Sequence, residues 1–308
     1  MNKLQNSKTI FENALKGKYA VGAFNFVNME MLKSILHAAE EEKSPVIIQC
    51  STGAIKYAGI KTLVAMVKAE IENLSIPVML NLDHGKTFED CKNAVDSGFS
   101  NVMIDASHLP MHENIALTKK VVEYAHARNV TVEAELGQLA GVEEEVSCDT
   151  HAYTNPMQAK GFVDATNVDS LAIAIGTSHG TNKFKGEARL RFDILEEIEK
   201  LLPNYPLVLH GASSVPQDIV ATAVKYGAKL EGVNGVPENI LAKACAKNIC
   251  KINVDSDLKL SYTAGLRQHF AEHPEEVDIR NYNKTAMGKV KETIKNKLKK
   301  VFNSSNMA

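Results

Sequence analysis

Three histidines and an aspartate in this 308-residue chain stand where short apolar runs end. Asp83-His84 follows the run 76–82, His179 lies in Gly176-Thr177-Ser178-His179-Gly180 after the run 170–176, and His210 closes the run 206–210. Imidazole nitrogens suit zinc, and a catalytic zinc takes about three protein ligands and keeps one position open. A single histidine in such a place is usually satisfied by an ordinary hydrogen bond. Three placed alike, each beside glycine or aspartate, point to one shared metal. His108 and His112 are nearby rivals on the loop into the next helical segment. His37, His126, His151, His269 and His273 read as helix or loop residues.

The acids come next. Asp83 adjoins His84, so a carboxylate held there can shuttle a proton. Asp105 follows the fourth run and suits orienting a ligand histidine as well as it suits catalysis. Glu133 and Glu135 share the parity of the fifth run and so face the same way. Glu133 reads as a structural partner in the interior, where a carboxylate needs a cation or a donor. Glu135, nearer the end, can reach a metal. Glu143, Glu144 and Glu145 form an acidic run, solvated for at least two of the three. The clusters His210-Gly211-Ala212-Ser213-Ser214 and Asn253-Val254-Asp255-Ser256 each precede a helix start. Glycine lets backbone amides approach an anion, and a helix N-terminus favours negative charge. Lys183 and Arg280 are cations that could neutralise a second phosphate.

Eight apolar runs must position these groups: 19–25, 45–50, 76–82, 101–104, 129–135, 170–176, 206–210 and 249–254. Short, nearly continuous apolar runs suit parallel strands covered on both faces. Helical patterns lie between them, at 29–42, 59–73, 87–98, 111–128, 156–165, 192–202, 216–227 and 258–270. Strand–helix alternation repeated eight times is the pattern of a (β/α)8 barrel, whose active site gathers at the strand C-termini. A doubly wound sheet competes, but no Gly-x-Gly-x-x-Gly turn follows the first run. The connection 137–155 is long, carries two glycines and has no helical face, as active-site lids often do. The basic tail 289–300 reads as a solvated amphipathic helix, with Val290, Ile294, Leu298, Val301 and Phe302 at helical spacing.

A net charge of −2 gives no bulk attraction to nucleic acid. Cys50, Cys91, Cys148, Cys245 and Cys250 are dispersed, as reduced thiols in a cytosolic protein would be. No apolar stretch approaches the roughly 18 residues of a membrane span, and the first residues lack a signal segment, so a cytoplasmic protein is expected. A metal, an anion site and an acid on a barrel imply a phosphorylated substrate whose carbonyl the metal polarises. An aldolase, an isomerase and a metal-assisted hydrolase all remain open on these residues.

At these positions the sequence resembles the class II, zinc-dependent fructose-1,6-bisphosphate aldolases. The likeness runs through Gly22-Ala-Phe-Asn25, Leu82-Asp-His-Gly85, Val102-Met-Ile-Asp-Ala-Ser107, Val132-Glu-Ala-Glu-Leu-Gly137, Gly176-Thr-Ser-His-Gly180, Leu209-His-Gly-Ala-Ser213 and Asn253-Val-Asp-Ser256, nearly the whole chain. It implies one TIM-barrel domain over 1–308 with an N-terminal helix, a mobile active-site loop at 137–155 and a C-terminal helix at 285–303. It implies reversible cleavage of fructose 1,6-bisphosphate to dihydroxyacetone phosphate and glyceraldehyde 3-phosphate, without a Schiff-base lysine, by a homodimer or homotetramer. By the resemblance His84, His179 and His210 hold zinc, with Asp105 and Glu135 at an alternative zinc position. Asp83 handles the C4 hydroxyl proton and Glu143 the proton at C3. Gly180, Gly211, Ser213, Asn253 and Ser256 form a phosphate site that many members share with Na+ or K+. Arg280 reaches the far phosphate from a neighbouring subunit, and Asn25 and Ser51 touch substrate. Ser256 stands where many members have threonine. Lys259 matches tagatose-bisphosphate aldolases, whereas Asp255 matches the fructose-selective pattern and lies nearer the sugar chain. Tagatose-1,6-bisphosphate aldolase is therefore the near alternative. A metal-dependent hydrolase of a phosphorylated small molecule is the distant one, and a barrel kept for interaction would not need intact strand ends.

Overall fold

The computed structural model describes residues 4–138, 141–143, 146–148, 152–178 and 190–308. Eight parallel strands close into a barrel: β1 (Val21–Asn25), β2 (Val46–Ser51), β3 (Val78–Gly85), β4 (Asn101–Ile104), β5 (Thr131–Leu136), β8 (Ser170–Ile173), β9 (Leu207–Leu209) and β10 (Ile249–Val254), in the order β1-β10-β9-β8-β5-β4-β3-β2. The competing open sheet is excluded by that closure. Two further strands, β6 (Gly141–Glu143) and β7 (Val146–Cys148), pair as an antiparallel hairpin inside the connection 137–155.

The helices are α1 (Ser7–Gly17), α2 (Met29–Glu41), α3 (Thr52–Ala58), α4 (Ile60–Ile71), α5 (Phe88–Ser97), α6 (Met111–His126), α7 (Pro156–Thr166), α8 (Phe192–Leu201), α9 (Gln217–Lys225), α10 (Glu238–Cys245), α11 (Ser256–Glu272) and α12 (Ile279–Lys300). Their starts have local causes. Thr87 and Asp90 form a capping box at α5, Asn28 caps α2, and Asn155 caps α7 ahead of Pro156. Gly98, at φ 101°, ends α5 in the left-handed conformation that favours glycine.

The inner face of the barrel follows the two-residue strand period. At the bottom, Ile10, Phe11 and Ala14 of α1 pack on Val21, Ala23, Ile47, Met79 and Cys250. Beside and above them the inward positions turn polar: Gln49, Asn81, Asn101, Thr131, Glu133 and Lys251 are all fully buried. The tail differs from expectation. α12 begins at Ile279, capped by Asp278, and its apolar stripe is not solvated: Val290, Ile294, Leu298 and Phe302 are fully buried. It packs on α2 and α11, and Ala20 N–H donates to Phe302 O (3.0 Å) beside β1. Gly265 permits the approach to α11, since a Cβ there would stand 2.6 Å from Ala286 Cα.

Candidate active site

His84 sits at an irregularity. The register of β3 on β4 shifts between Leu82 and Gly85, and His84 adopts φ 48°. A non-glycine residue in that region costs about 1–3 kcal/mol and needs surroundings that hold it. Here the bulge turns the imidazole toward the barrel axis, where His84 Nδ1 lies 2.8 Å from Asp105 Oδ2. Ser107 donates to the other Asp105 oxygen from its hydroxyl (2.7 Å) and its amide (3.1 Å). Burial would raise the Asp105 carboxyl, but His84 and Ser107 hold it below the usual range.

His210, just past β9, is held from below. Its Nε2 lies 2.7 Å from Glu133 Oε1, and Lys251 Nζ bridges both Glu133 oxygens at 3.0 and 2.8 Å. Burial works against the Glu133 charge, yet Lys251 and His210 keep its pKa at about 2. Burial and the charge on His84 push His210 down, so its neutral form is favoured. With Nε2–H committed to Glu133, His210 Nδ1 carries a lone pair; with Nδ1–H committed to Asp105, so does a neutral His84 Nε2. These two nitrogens stand 2.9 Å apart. Two lone pairs at that distance require a cation between them. Without a metal the cation is a proton: burial disfavours it on His84, but Asp105, Asp83 and Glu135 together raise that pKa to about 10.

The donor set fits a divalent metal. Asp83, His84 and His210 each bring a ligand atom to within 4.8 Å of the others, and so do His84, Asp105 and Glu135. His84 belongs to both groups, one on each side of its ring. Glu135 is fully enclosed, burial and Asp105 raise its pKa well above the ordinary value, and its Oε2 has no hydrogen-bond partner among the described residues. Such an orphaned oxygen is what a cation would satisfy.

Asp83 faces the same opening. Its Oδ2 accepts from Asn25 Nδ2 (2.8 Å) and its Oδ1 from Asn253 Nδ2 (2.9 Å). Asn253 Nδ2 also lies 2.9 Å from His210 Nδ1, so its amide group joins the acid to the histidine. Ser51 is the register partner of Asp83 and caps α3. Gly211 and Ser213 lie on the loop after β9, and Ser256 opens α11. That loop is tied down by Asp257, which accepts from the backbone N–H groups of Ser214 (3.0 Å) and Val215 (2.7 Å). Val215 is fully buried at φ 50°, a costly backbone for a β-branched residue. Asp257 in turn pairs with Lys297 of α12 at 2.5 Å, both without meaningful exposure. Lys259 pairs with Asp255 one helical turn back (2.5 Å). Arg280 stands apart, exposed and paired with its own cap Asp278. His179, Gly180, Lys183, Glu144 and Glu145 lie outside the described residues, as does the side chain of Glu143.

Lys251 and the buried amides Gln49, Asn81 and Asn101 escaped sequence reasoning. The available signal was a polar residue at an inward position of an otherwise apolar strand, which must have a partner.

A family model described as fructose-bisphosphate aldolase class-II matches residues 5–307. The chain belongs to the class II fructose-bisphosphate aldolase family. It is 46% identical to a fructose-bisphosphate aldolase of Treponema pallidum (strain Nichols), over 99% of this chain and 98% of that one. It is 50% identical to one of Giardia intestinalis, over 87% of this chain and 84% of that one. Among solved structures, the YdjI aldolase from Escherichia coli K12 superposes with a TM-score of 0.80 at 31% identity, covering 98% of each chain. Class II aldolases are metal-dependent, which agrees with the two ligand groups that share His84. No helix among the described residues is long and apolar enough to cross a membrane.

Proposed function

We propose that the protein is a lyase that cleaves D-fructose 1,6-bisphosphate reversibly to dihydroxyacetone phosphate and D-glyceraldehyde 3-phosphate. The observation that carries this reading is the convergence of Asp83 with two imidazoles whose carboxylate partners aim their remaining nitrogens at one point. His84, His210 and His179 would hold zinc, with Asp105 and Glu135 offering an alternative position. Zinc supplies positive charge against the oxygen on which negative charge develops. Asp83 takes the proton of the C4 hydroxyl; C4 becomes the aldehyde carbon, and the C3–C4 bond electrons remain on the dihydroxyacetone phosphate fragment. Glu143 then delivers a proton to C3 of that fragment. Asn25 and Asn253 keep Asp83 turned toward the substrate through one donor on each oxygen.

Gly180, Gly211, Ser213, Asn253 and Ser256 bind one phosphate, with Na+ or K+ beside it, and Ser51 contacts the sugar. Lys183 and Arg280 neutralise the other phosphate, Arg280 from a neighbouring subunit of a homodimer or homotetramer. The segment 137–155 closes over the substrate, and the protein works in the cytoplasm. A coupled triose-phosphate assay with fructose and tagatose bisphosphates side by side tests the reading. Activity on the fructose substrate should vanish with a chelator and return with zinc. Full activity in verified metal-free protein, or substrate trapping by borohydride, would overturn it.

A further inference from the structure

A continuous line of hydrogen bonds, buried at the base and half-buried at Asn25, joins the base of the barrel to the Asp83 carboxylate. Asp83 Oδ2 accepts from Asn25 Nδ2 (2.8 Å), Asn25 Oδ1 from Gln49 Nε2 (2.8 Å), and Gln49 Oε1 from Asn81 Nδ2 (3.1 Å). Asn81 Oδ1 accepts from Asn101 Nδ2 (2.7 Å), Asn101 Oδ1 from the Thr131 hydroxyl (2.6 Å), and Thr131 Oγ1 from the backbone N–H of Ser7 (3.0 Å). Asn25 opposes Gln49 in the strand register, Gln49 opposes Asn81, Asn81 opposes Asn101, and Asn101 opposes Thr131. Barrel strands tilt, so a line of register partners that leaves the last residue of β1 arrives at the first residue of β5. The line therefore descends from mouth to base.

Its direction is dictated at the Asp83 end. A carboxylate only accepts, so each amide in turn presents its N–H toward Asp83 and its oxygen away, and the Thr131 hydroxyl meets Asn101 Oδ1 as a donor. Turning over any one amide would set two oxygens against each other on one side and two N–H groups on the other. All six bonds therefore donate toward Asp83. Aligned bonds of this kind polarise one another. The line also starts in the first turn of α1, where free N–H groups carry partial positive charge.

We propose that Gln49, Asn81, Asn101 and Thr131 are positioning residues for Asp83. They fix the Asn25 amide with its N–H toward Oδ2, and so hold the carboxylate in the one orientation from which it takes the C4 proton. The inference rests on the aldolase reading above. Simple packing does not need the line, because valine would fill the place of Thr131.

Thr131→Val keeps that shape and removes the donor to Asn101, leaving Asn101 Oδ1 without its partner, so the amides from Asn101 to Asn25 lose their far anchor and the polarisation it supplies. In this variant kcat should fall about tenfold, a modest share of the roughly 10²–10⁴ that general acid–base catalysis supplies. KM should stay within about twofold, since substrate binding is untouched. Thr131→Ser should restore kcat. In metal-free protein, the side-chain amide nitrogen resonance of Asn25 should move in Thr131→Val and return in Thr131→Ser. Ser7→Pro is a second variant that removes the terminal N–H, with Ser7→Ala as the control for the lost hydroxyl. Proline is welcome at the first helical position, and Asn6, at φ −83° and ψ 178°, suits the residue before it. It should shift the same resonance in the same sense, and it decides the matter if Thr131→Val does not fold. Wild-type kcat in a folded Thr131→Val protein, a loss that serine does not repair, or a stationary Asn25 resonance would overturn the proposal. If the wild-type protein does not cleave fructose 1,6-bisphosphate, the proposed function falls instead, while the resonance still tests the line.

Discussion

Replacing Lys251 with methionine should damage both the fold and the metal site. Lys251 Nζ stands 3.0 and 2.8 Å from the two Glu133 oxygens, and neither side chain has any exposed surface. At about 3 Å and an effective dielectric near 20, the attraction amounts to about 5–6 kcal/mol. That attraction, with the His210 bond, keeps Glu133 ionised at a pKa of about 2 in spite of its burial. Methionine preserves the length of the side chain and leaves the carboxylate alone, so unfolding should become easier by about 3–5 kcal/mol. Glu133 can then escape only by taking up a proton or by drawing one onto His210. The first loosens the tautomer that keeps a lone pair on His210 Nδ1 for a metal, and the second removes the lone pair. Zinc affinity should therefore fall about 10–100-fold, as it does when outer partners of ligand histidines are lost. Urea unfolding of metal-free protein and a competitive zinc titration read the two effects. The double variant Lys251→Met/Glu133→Gln should recover most of the stability but not the affinity. A loss below about 1 kcal/mol, typical of an exposed pair, together with a wild-type zinc titration, would refute the reasoning.

Asp83→Ala should retain zinc and lose cleavage by about 10²–10⁴-fold; loss of zinc from the purified variant would make Asp83 a ligand instead. His84 in the metal-free protein holds its proton up to a pKa of about 10, so below that pH zinc must displace one proton. Calorimetry at pH 8 in buffers of different ionisation enthalpy should find about one proton released per zinc, with affinity rising as pH rises; no release would contradict a protonated His84 in the metal-free protein. Fructose 1,6-bisphosphate should be preferred over its tagatose epimer by at least about tenfold in kcat/KM, or about 1.4 kcal/mol. Asp255→Ala should shrink that ratio mainly by harming the fructose substrate, and a wild-type preference for tagatose would show that Lys259 governs the pair.

The barrel was legible because its strands are short apolar runs separated by capped helices, a pattern that local sequence records. The expected runs at 45–50, 101–104 and 249–254 coincide with β2, β4 and β10 to within a residue. The misfits have physical causes. β3 continues past Leu82 because His84 accepts a left-handed backbone inside a bulge, which no propensity announces. The run 170–176 leaves the ladder after Ile173, where Ala174 N–H turns to the Thr154 hydroxyl (2.8 Å). The hairpin β6–β7 is six residues of strand within an acidic, glycine-containing segment, too short for a periodic signal. In the site, Asp83, His84 and His210, singled out by their places at strand ends, lie together in the structure. The need of Glu133 for a cation was also readable, but its source lay 118 residues away at Lys251. The tail misled because its lysines dominate the composition while its apolar stripe, and Lys297 itself, are buried.

The Asp257–Lys297 pair ties the C-terminal helix to the loop after β9. Asp257 holds the amides of Ser214 and Val215, and Lys297 neutralises Asp257 while donating to Ser214 Oγ (2.7 Å). A lineage cannot drift at one of these positions without passing through a form with a lone charge in the core. The two sites should therefore change together or not at all among relatives, although they lie 40 positions apart in sequence. A helix that looks like an appendage in composition is thus tied through one buried ion pair to the loop after β9. Exchanging α12 between homologues should succeed only when the residue at 257 travels with it.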